Sequence, residues 1–193
     1  MNTLSSVAAR RGHFKTESGY HTDRWMDLET LCRRPETIHP LARTLAQKLR
    51  AHAVDAVCGP LNEGAFIALM VAGELRCDFT YAERFAERDD ARLFPVRYAL
   101  PAALRPVVSG RRIAIVNDVI SAGSAVRGAW VDLHEHGAQV VAIGCLLVLG
   151  DAIDRFAAER GIAVEALERS PYQLWTPDEC PLCAAHTALE SVT

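Results

Sequence analysis

The sequence predicts an α/β fold, a central parallel sheet flanked by helices. Three observations carry this. Short apolar stretches that read as strands alternate with stretches of helical periodicity along the chain. The clearest strand, "RIAIVND" (112–118), ends abruptly in Asn117 and Asp118. A small, hydroxyl-bearing string, "SAGSA" (121–125), comes almost at once and opens a helix. Sheets of this type bind ligands beyond the carboxyl ends of their strands. The polar tip at Asn117 and Asp118 is therefore the place to look for function.

The elements run in order. Thr37 to Ala51 puts Leu41, Leu45, Ala46 and Leu49 at helical spacing, and Pro40, expected in the first turn, sets the start near His39. "VDAVCGP" (54–60) is a short strand stopped by Gly59-Pro60, and "EGAFIALMVAGEL" (63–75) is an apolar, buried helix. "DFTYAER" (78–84) is a strand in which Phe79 and Tyr81 alternate with polar neighbours. "RLFPVRY" (92–98) is an edge strand, because Pro95 cannot donate to a ladder. A helix over Ser124 to His136 closes at Gly137. "QVVAIGCLLVLG" (139–150) is a buried strand, "DAIDRFAAERG" (151–161) a helix and "IAVEAL" (162–167) the last strand.

Composition bounds the rest. At 193 residues, half of them hydrophobic, the chain suits one domain with a full core. A net charge of −3 gives no basic surface for nucleic acid. No apolar run approaches the ~18 residues of a membrane span, and "MNTLSSVAARRGHF" has no apolar core of a signal peptide. The expected setting is the cytoplasm. Six cysteines without a secretory context do not suggest a disulfide framework; Cys58 and Cys145 sit in apolar runs as buried thiols.

The segment after Asp118 has the chemistry of a phosphate cradle. A helix start presents unpaired N–H groups and a positive dipole end. Gly123 lets a ligand approach the backbone, and Ser121 and Ser124 add hydroxyl donors. The string is neither a P-loop, lacking Gly-Lys-Ser/Thr, nor a G-x-G-x-x-G turn. Asp118 can accept hydrogen bonds from sugar hydroxyls. The plainer reading is an N-capping serine with Asp118 merely solvated.

"IAIVNDVISAGSA" resembles the phosphoribosyl-pyrophosphate motif of type I phosphoribosyltransferases, most of all the orotate-using branch. The likeness continues along the chain. "RGHFKTESGYHTDRWMDLETL" (11–31) resembles that branch's N-terminal segment, "VDAVCGPLNEGAFIA" (54–68) its pyrophosphate strand and loop, and "YAER" (81–84) the start of its mobile active-site loop. "TPDECPLC" (176–183) resembles the ending of one bacterial and archaeal subgroup. The resemblance implies one catalytic domain over 1–193, with an N-terminal hood (1–36) and a C-terminal tail (170–193). It also implies a reaction in which orotate displaces pyrophosphate from phosphoribosyl pyrophosphate, with Mg²⁺ as cofactor, and a homodimer.

Roles carry over by matched position. The resemblance gives Asp118 contact with the ribose hydroxyls and, through substrate, with Mg²⁺. Ser121, Ala122, Gly123, Ser124 and Ala125 surround the 5′-phosphate. Leu61, Asn62, Glu63 and Gly64 form the pyrophosphate loop, and Arg84, beside Glu83, is the catalytic cation at the edge of the mobile loop. Trp25, with Met26, falls where the family places apolar residues against the base, though a core role fits Trp25 equally.

Four positions depart from the pattern. Asn117 replaces the usual first acid, so it brings no charge to an oxocarbenium-like sugar, and Asn117→Asp is expected to raise turnover. Glu63 puts a carboxylate in the pyrophosphate loop. "AERFAERDDARLF" lacks Lys-x-His-Gly and offers Arg84, Arg88 and Arg92 instead. Gly150 stands where an arginine often meets the substrate carboxylate. A non-catalytic binder of phosphoribosyl pyrophosphate or a nucleotide, or a transferase for another base, therefore stays open.

Outside this pattern, "CPLCAAH" (180–186) holds Cys180 and Cys183. The pair is read first as a structural tail and second as half of a zinc site, since no second pair of ligands stands out in the sequence. "HEH" (134–136) lacks the i, i+4 zinc spacing and reads as a solvated helix end.

Overall fold

The structure is a computed structural model that describes residues 9–26, 31–86, 93 and 96–191, with Ala9, Leu31, Glu63, Ala86 and Ser191 described in their main chain alone. Strands β1 (Ala9–Lys15) and β2 (His21–Met26) form a hairpin, and helix α1 (Pro35–Leu49) leads into the main sheet. Next come β3 (Ala56–Pro60), α2 (Glu63–Leu75), β4 (Asp78–Ala86), β5 (Val96–Ala99) and the short α3 (Arg105–Val108). The second half runs β6 (Arg112–Ile120), α4 (Ser124–Glu135), β7 (Gln139–Leu149), α5 (Ala152–Ala158) and β8 (Ala163–Ser170). A one-turn helix, α6 (Pro181–Ala184), and a two-residue strand, β9 (Glu190–Ser191), close the described chain.

Six strands form the main sheet in the order β5-β4-β3-β6-β7-β8. All neighbours are parallel except β4 and β5, which pair antiparallel at one edge. The expected α/β architecture is present, with a core on each face. Ile113 and Ile115 of β6 pack with Val126, Ala129 and Leu133 of α4 and Ile153 of α5. Ala114 and Val116, pointing the other way, pack with Leu45 and Leu49 of α1 and Ile67 and Val71 of α2. The alternation of side chains along a strand thus serves two apolar layers, which is why β6 reads as a continuous hydrophobic run. No described helix is long and apolar enough to cross a membrane.

The start of α1 differs from the sequence expectation. Helix α1 begins at Pro35, not near His39, and carries Pro40 inside it. Pro35 takes the first-turn position, where a missing N–H costs nothing. Pro40 removes one bond to the Glu36 carbonyl, and both residues lie on the exposed side, where water can satisfy that oxygen.

The second sheet joins the two ends of the described chain. Its order is β2-β1-β9, with β1 and β2 antiparallel and β9 parallel to β1. The register slips by one residue between Arg11 and Phe14, a β-bulge that leaves His13 and Phe14 both buried in succession. Beyond β8 the chain returns to this hairpin. His21 and Trp175 exchange backbone hydrogen bonds (2.8 and 2.9 Å), and the Tyr172 hydroxyl donates to the Arg24 carbonyl (2.6 Å).

Edge strand β5 lies directly on α4 because Gly128 has no side chain. A Cβ there would come 2.8 Å from Tyr98 Cδ2 and 3.2 Å from the Tyr98 nitrogen. Gly128→Ala gains about 1 kcal/mol of helix propensity, but overpacking costs about 1–3 kcal/mol. The net change is expected to be destabilising, read as a lower urea midpoint; a raised midpoint would show that β5 is free to yield.

Candidate active site

A cleft of about 530 Å³ opens between the carboxyl ends of β3 and β6 and the underside of the small sheet. From β6 and the loop after it come Asn117, Asp118, Ser121, Gly123, Ser124 and Ala125. From the turn after β3 come Leu61, Asn62 and Gly64. The hairpin contributes Arg10, Thr16, Glu17, Ser18, Trp25 and Met26. The residues of the main sheet meet because parallel strands deliver their polar ends to the same rim, and the hairpin lies over that rim.

The loop after β6 is built as a helix start. Gly123 is the N-cap of α4 at φ 82°, left-handed backbone that suits glycine. Below it Arg127 acts as a brace, its Nε donating to the Ala122 carbonyl (3.0 Å) and its Nη2 to the Ala152 carbonyl (3.0 Å). Its guanidinium lies 4.5 Å from the Phe156 ring centre, and burial lowers its pKa. Ala122 is buried on that brace and does not line the cleft, while the two serines on either side do.

The Asn117-Asp118 pair is held from behind. The Cys145 thiol on β7 donates to the Leu147 carbonyl (3.0 Å) and approaches the Asp118 carbonyl (3.3 Å). Burial keeps this thiol protonated, its pKa raised well above the usual thiol range. Asn117 is 9 % exposed, and its Nδ2 donates to the Val119 carbonyl (2.8 Å). Its Oδ1 is turned toward Gly64, so close that a Cβ there would come 2.1 Å from it. The amide replacing an acid is thus part of a local hydrogen-bonded turn, a use that its sequence position does not announce. The backbone of the Leu61–Asn62 bond beside it is cis.

Arg84 stands differently from the sequence expectation. It does not line the cleft; its Nε donates to Glu17 Oε2 (2.8 Å), and Glu17 does line it. The Tyr98 hydroxyl donates to the same carboxylate (3.1 Å to Oε1). Burial and the Glu17 charge raise the Tyr98 pKa, so it stays a donor at neutral pH. Arg84 therefore reaches the site through Glu17. Glu17, Tyr98 and Tyr172 are cleft residues that the sequence does not reveal, because nothing local marks a hairpin glutamate and an edge-strand tyrosine as partners. Trp25 is half-buried and lines the cleft, with its ring 6.3 Å from that of Phe14. Arg88 and Arg92 lie outside the described residues.

Chemically, the rim offers one carboxylate at Asp118, a hydroxyl-rich helix start, and a polar turn at Asn62 within a single cleft. That set suits a phosphorylated sugar. The comparisons with known proteins agree. Residues 33–177 match the family model described as the phosphoribosyl transferase domain. An orotate phosphoribosyltransferase of Thermotoga maritima is 30% identical over 178 residues, covering 91% of this chain and 87% of that one. One from Carboxydothermus hydrogenoformans is 30% identical over 94% of this chain and 88% of its own. Among solved structures, the orotate phosphoribosyltransferase of Aeropyrum pernix superposes with a TM-score of 0.62 at 19% identity, over 84% of this chain and 88% of that one. An adenine phosphoribosyltransferase of Rhodothermus marinus gives 0.62 at 17% identity, over 76% and 87%. With a strand-end acid, a helix-start loop and a domain match over most of its length, this chain belongs to the phosphoribosyl transferase family.

Proposed function

We propose that the chain transfers the phosphoribosyl group of phosphoribosyl pyrophosphate to orotate, a step of pyrimidine nucleotide biosynthesis. The bond from ribose C1′ to the pyrophosphate oxygen breaks, and C1′ bonds to an orotate ring nitrogen, whose N–H proton is given up to water or to the departing pyrophosphate. Pyrophosphate leaves with the electron pair of the broken bond. The observation that carries this reading is the convergence of Asp118, the Ser121–Ala125 loop and the Asn62–Gly64 turn on one cleft. The orotate-named relatives at 30% identity support the choice of base.

In this reading Asp118 accepts hydrogen bonds from the ribose hydroxyls and faces the positive charge that develops on the sugar. The N–H groups and hydroxyls of Ser121 to Ala125 hold the 5′-phosphate at the helix start. Leu61, Asn62, Glu63 and Gly64 hold pyrophosphate, and Trp25 lies against the base. Arg84 keeps Glu17 in place at the rim. The donor set fits Mg²⁺, which prefers one or two carboxylates plus substrate phosphates: Asp118 is the carboxylate, and Asn117 Oδ1 is a further hard oxygen. Bound with substrate, the ion would neutralise charge on the departing pyrophosphate. The full 1–193 unit, with 1–36 as hood and 170–193 as tail, is the catalytic domain of this proposal. The setting is cytoplasmic, where unpaired thiols such as Cys58 and Cys145 persist.

A homodimer completes the proposal. Helix α2 is apolar nearly all round, and its outer face exposes Phe66 (50%) and Leu69 (55%). An exposed apolar face on a helix suits a self-complementary two-fold contact. Asn117 favours the second reading, a non-catalytic binder of phosphoribosyl pyrophosphate, because its amide is already engaged. Pyrophosphate release from the sugar donor, with Mg²⁺ and either orotate or adenine, separates the readings.

Three outcomes are expected. Asp118→Asn lowers kcat/KM for phosphoribosyl pyrophosphate by about a hundredfold, and Asn117→Ala by much less; equal, small losses in steady-state assays would remove the role given to Asp118. Asn117→Asp raises orotate turnover but loses the donor to Val119, costing about 1–2 kcal/mol in urea unfolding without ligand. An unchanged midpoint would mean that the Asn117 turn contributes nothing. Finally, Phe66→Glu with Leu69→Glu yields a monomer by analytical ultracentrifugation; a wild type that is already monomeric at working concentration would exclude the dimer.

A further inference from the structure

The hairpin and the returning tail bring four metal-binding side chains together. His13, His21, Cys180 and Cys183 each offer one ligand atom, and these atoms lie within 4.8 Å of one another. His13 Nε2 is 3.1 Å from His21 Nδ1, 3.4 Å from the Cys180 sulfur and 3.7 Å from the Cys183 sulfur. The Cys183 sulfur is 3.2 Å from His21 Nδ1. A tetrahedron with Zn–N near 2.0–2.1 Å and Zn–S near 2.3 Å has ligand-to-ligand edges of about 3.3–3.8 Å. Two of the observed separations, 3.4 and 3.7 Å, fall in that range, and the other two, 3.1 and 3.2 Å, lie just below it.

We propose that His13, His21, Cys180 and Cys183 bind one structural zinc ion that fastens the C-terminal tail to the N-terminal hairpin. The second ligand pair missing from the sequence around Cys180 and Cys183 is supplied by the hairpin. Four features support the assignment. The set is Cys₂His₂ with no fifth protein ligand among the described residues and no open position, the pattern of a structural site. The Nδ1 of His13 lies 2.9 Å from the Thr187 carbonyl, an acceptor only, so Nδ1 carries the proton and Nε2 presents its lone pair to the cluster. His13, His21 and Cys180 are buried, at 2%, 4% and 2% exposure. Binding displaces two thiol protons, and two thiolates with two neutral imidazoles make the dication site neutral, which suits that burial.

The supporting frame is independent of the cluster itself. The β1 bulge sets His13 beside Phe14 on the buried side, the exchange of backbone bonds with Trp175 fixes His21, and β9 pairs with β1 just past the cysteines. His13 and His21 bracket the turn that carries Thr16, Glu17 and Ser18 into the cleft. The metal therefore holds both ends of a cleft-lining turn while touching no substrate. This assignment does not rest on the proposed activity.

The test uses the full chain purified without chelator under reducing conditions. Plasma mass spectrometry is expected to find about one zinc per chain. Cobalt exchanged into the wild type should show the visible bands of a tetrahedral thiolate-ligated ion. Cys180→Ser with Cys183→Ser should lose the metal, whereas Cys77→Ser should keep it. Chelation should speed amide hydrogen exchange over 14–22 and 180–191 relative to the main sheet. A wild type that neither carries zinc nor takes up zinc or cobalt stoichiometrically overturns the proposal, as does a Cys180–Cys183 disulfide in the native reduced preparation. Metal retained at full occupancy in the double variant also overturns it. The cobalt spectrum of the wild type decides the matter even where a variant fails to fold.

Discussion

Burial of β6 on both faces governs this protein. Ile113 and Ile115 are fully enclosed by one helical layer, and Ala114 and Val116 by the other. No polar side chain fits along that span without a partner. Polarity can begin only where the strand leaves the two layers, at Asn117 and Asp118. The helices that bury the strand also shape its polar tip. Helix α4 must start close to that tip to cover the sheet, so its unpaired N–H groups arrive beside the acid. Packing of the sheet and a helix start beside an acid are two results of one arrangement.

The rim of the cleft is assembled from weaker parts. The main sheet provides Asp118 and the helix-start loop rigidly, but Glu17 is borne by a two-stranded hairpin, a unit with little stability of its own. Its carboxylate is held from outside by Arg84 on β4 and Tyr98 on β5, and Tyr98 depends in turn on the missing side chain of Gly128. The tail adds Tyr172 and Trp175 against β2. The hairpin side of the cleft is thus expected to be its least stable side, as is usual for elements at the low-stability end of a fold.

Much of this is legible in the sequence, for identifiable reasons. The strand 112–118 and the string 121–125 carry local signals of apolar run, acid and small hydroxyl residues, and the structure has them in one cleft. The parallel sheet is implied by alternation of strand and helix. The illegible parts depend on long-range contact. His13 and His21 are single histidines in an ordinary hairpin, and their relation to Cys180 and Cys183 exists only once β9 has paired with β1. The amide of Asn117 reads as a lost charge in sequence, whereas the fold gives it a hydrogen bond to Val119 and a place against Gly64. Pro40 misleads because the rule for prolines at helix starts suits it as well as Pro35, and only the structure shows that Pro35 fills that position.

The parallel pairing of β9 with β1 has a bearing on how the molecule is made. Residues 9–26 leave the ribosome before the strands of the main sheet, yet their sheet lacks its third strand until residue 191 has been synthesised. In the interval β3, β4, β6 and β7 can assemble and bury their faces, because their contacts lie between nearby segments of chain. The Ser121–Ala125 loop can therefore form beneath an unfinished roof, and the hairpin side of the cleft is completed only once residues 190 and 191 have been made.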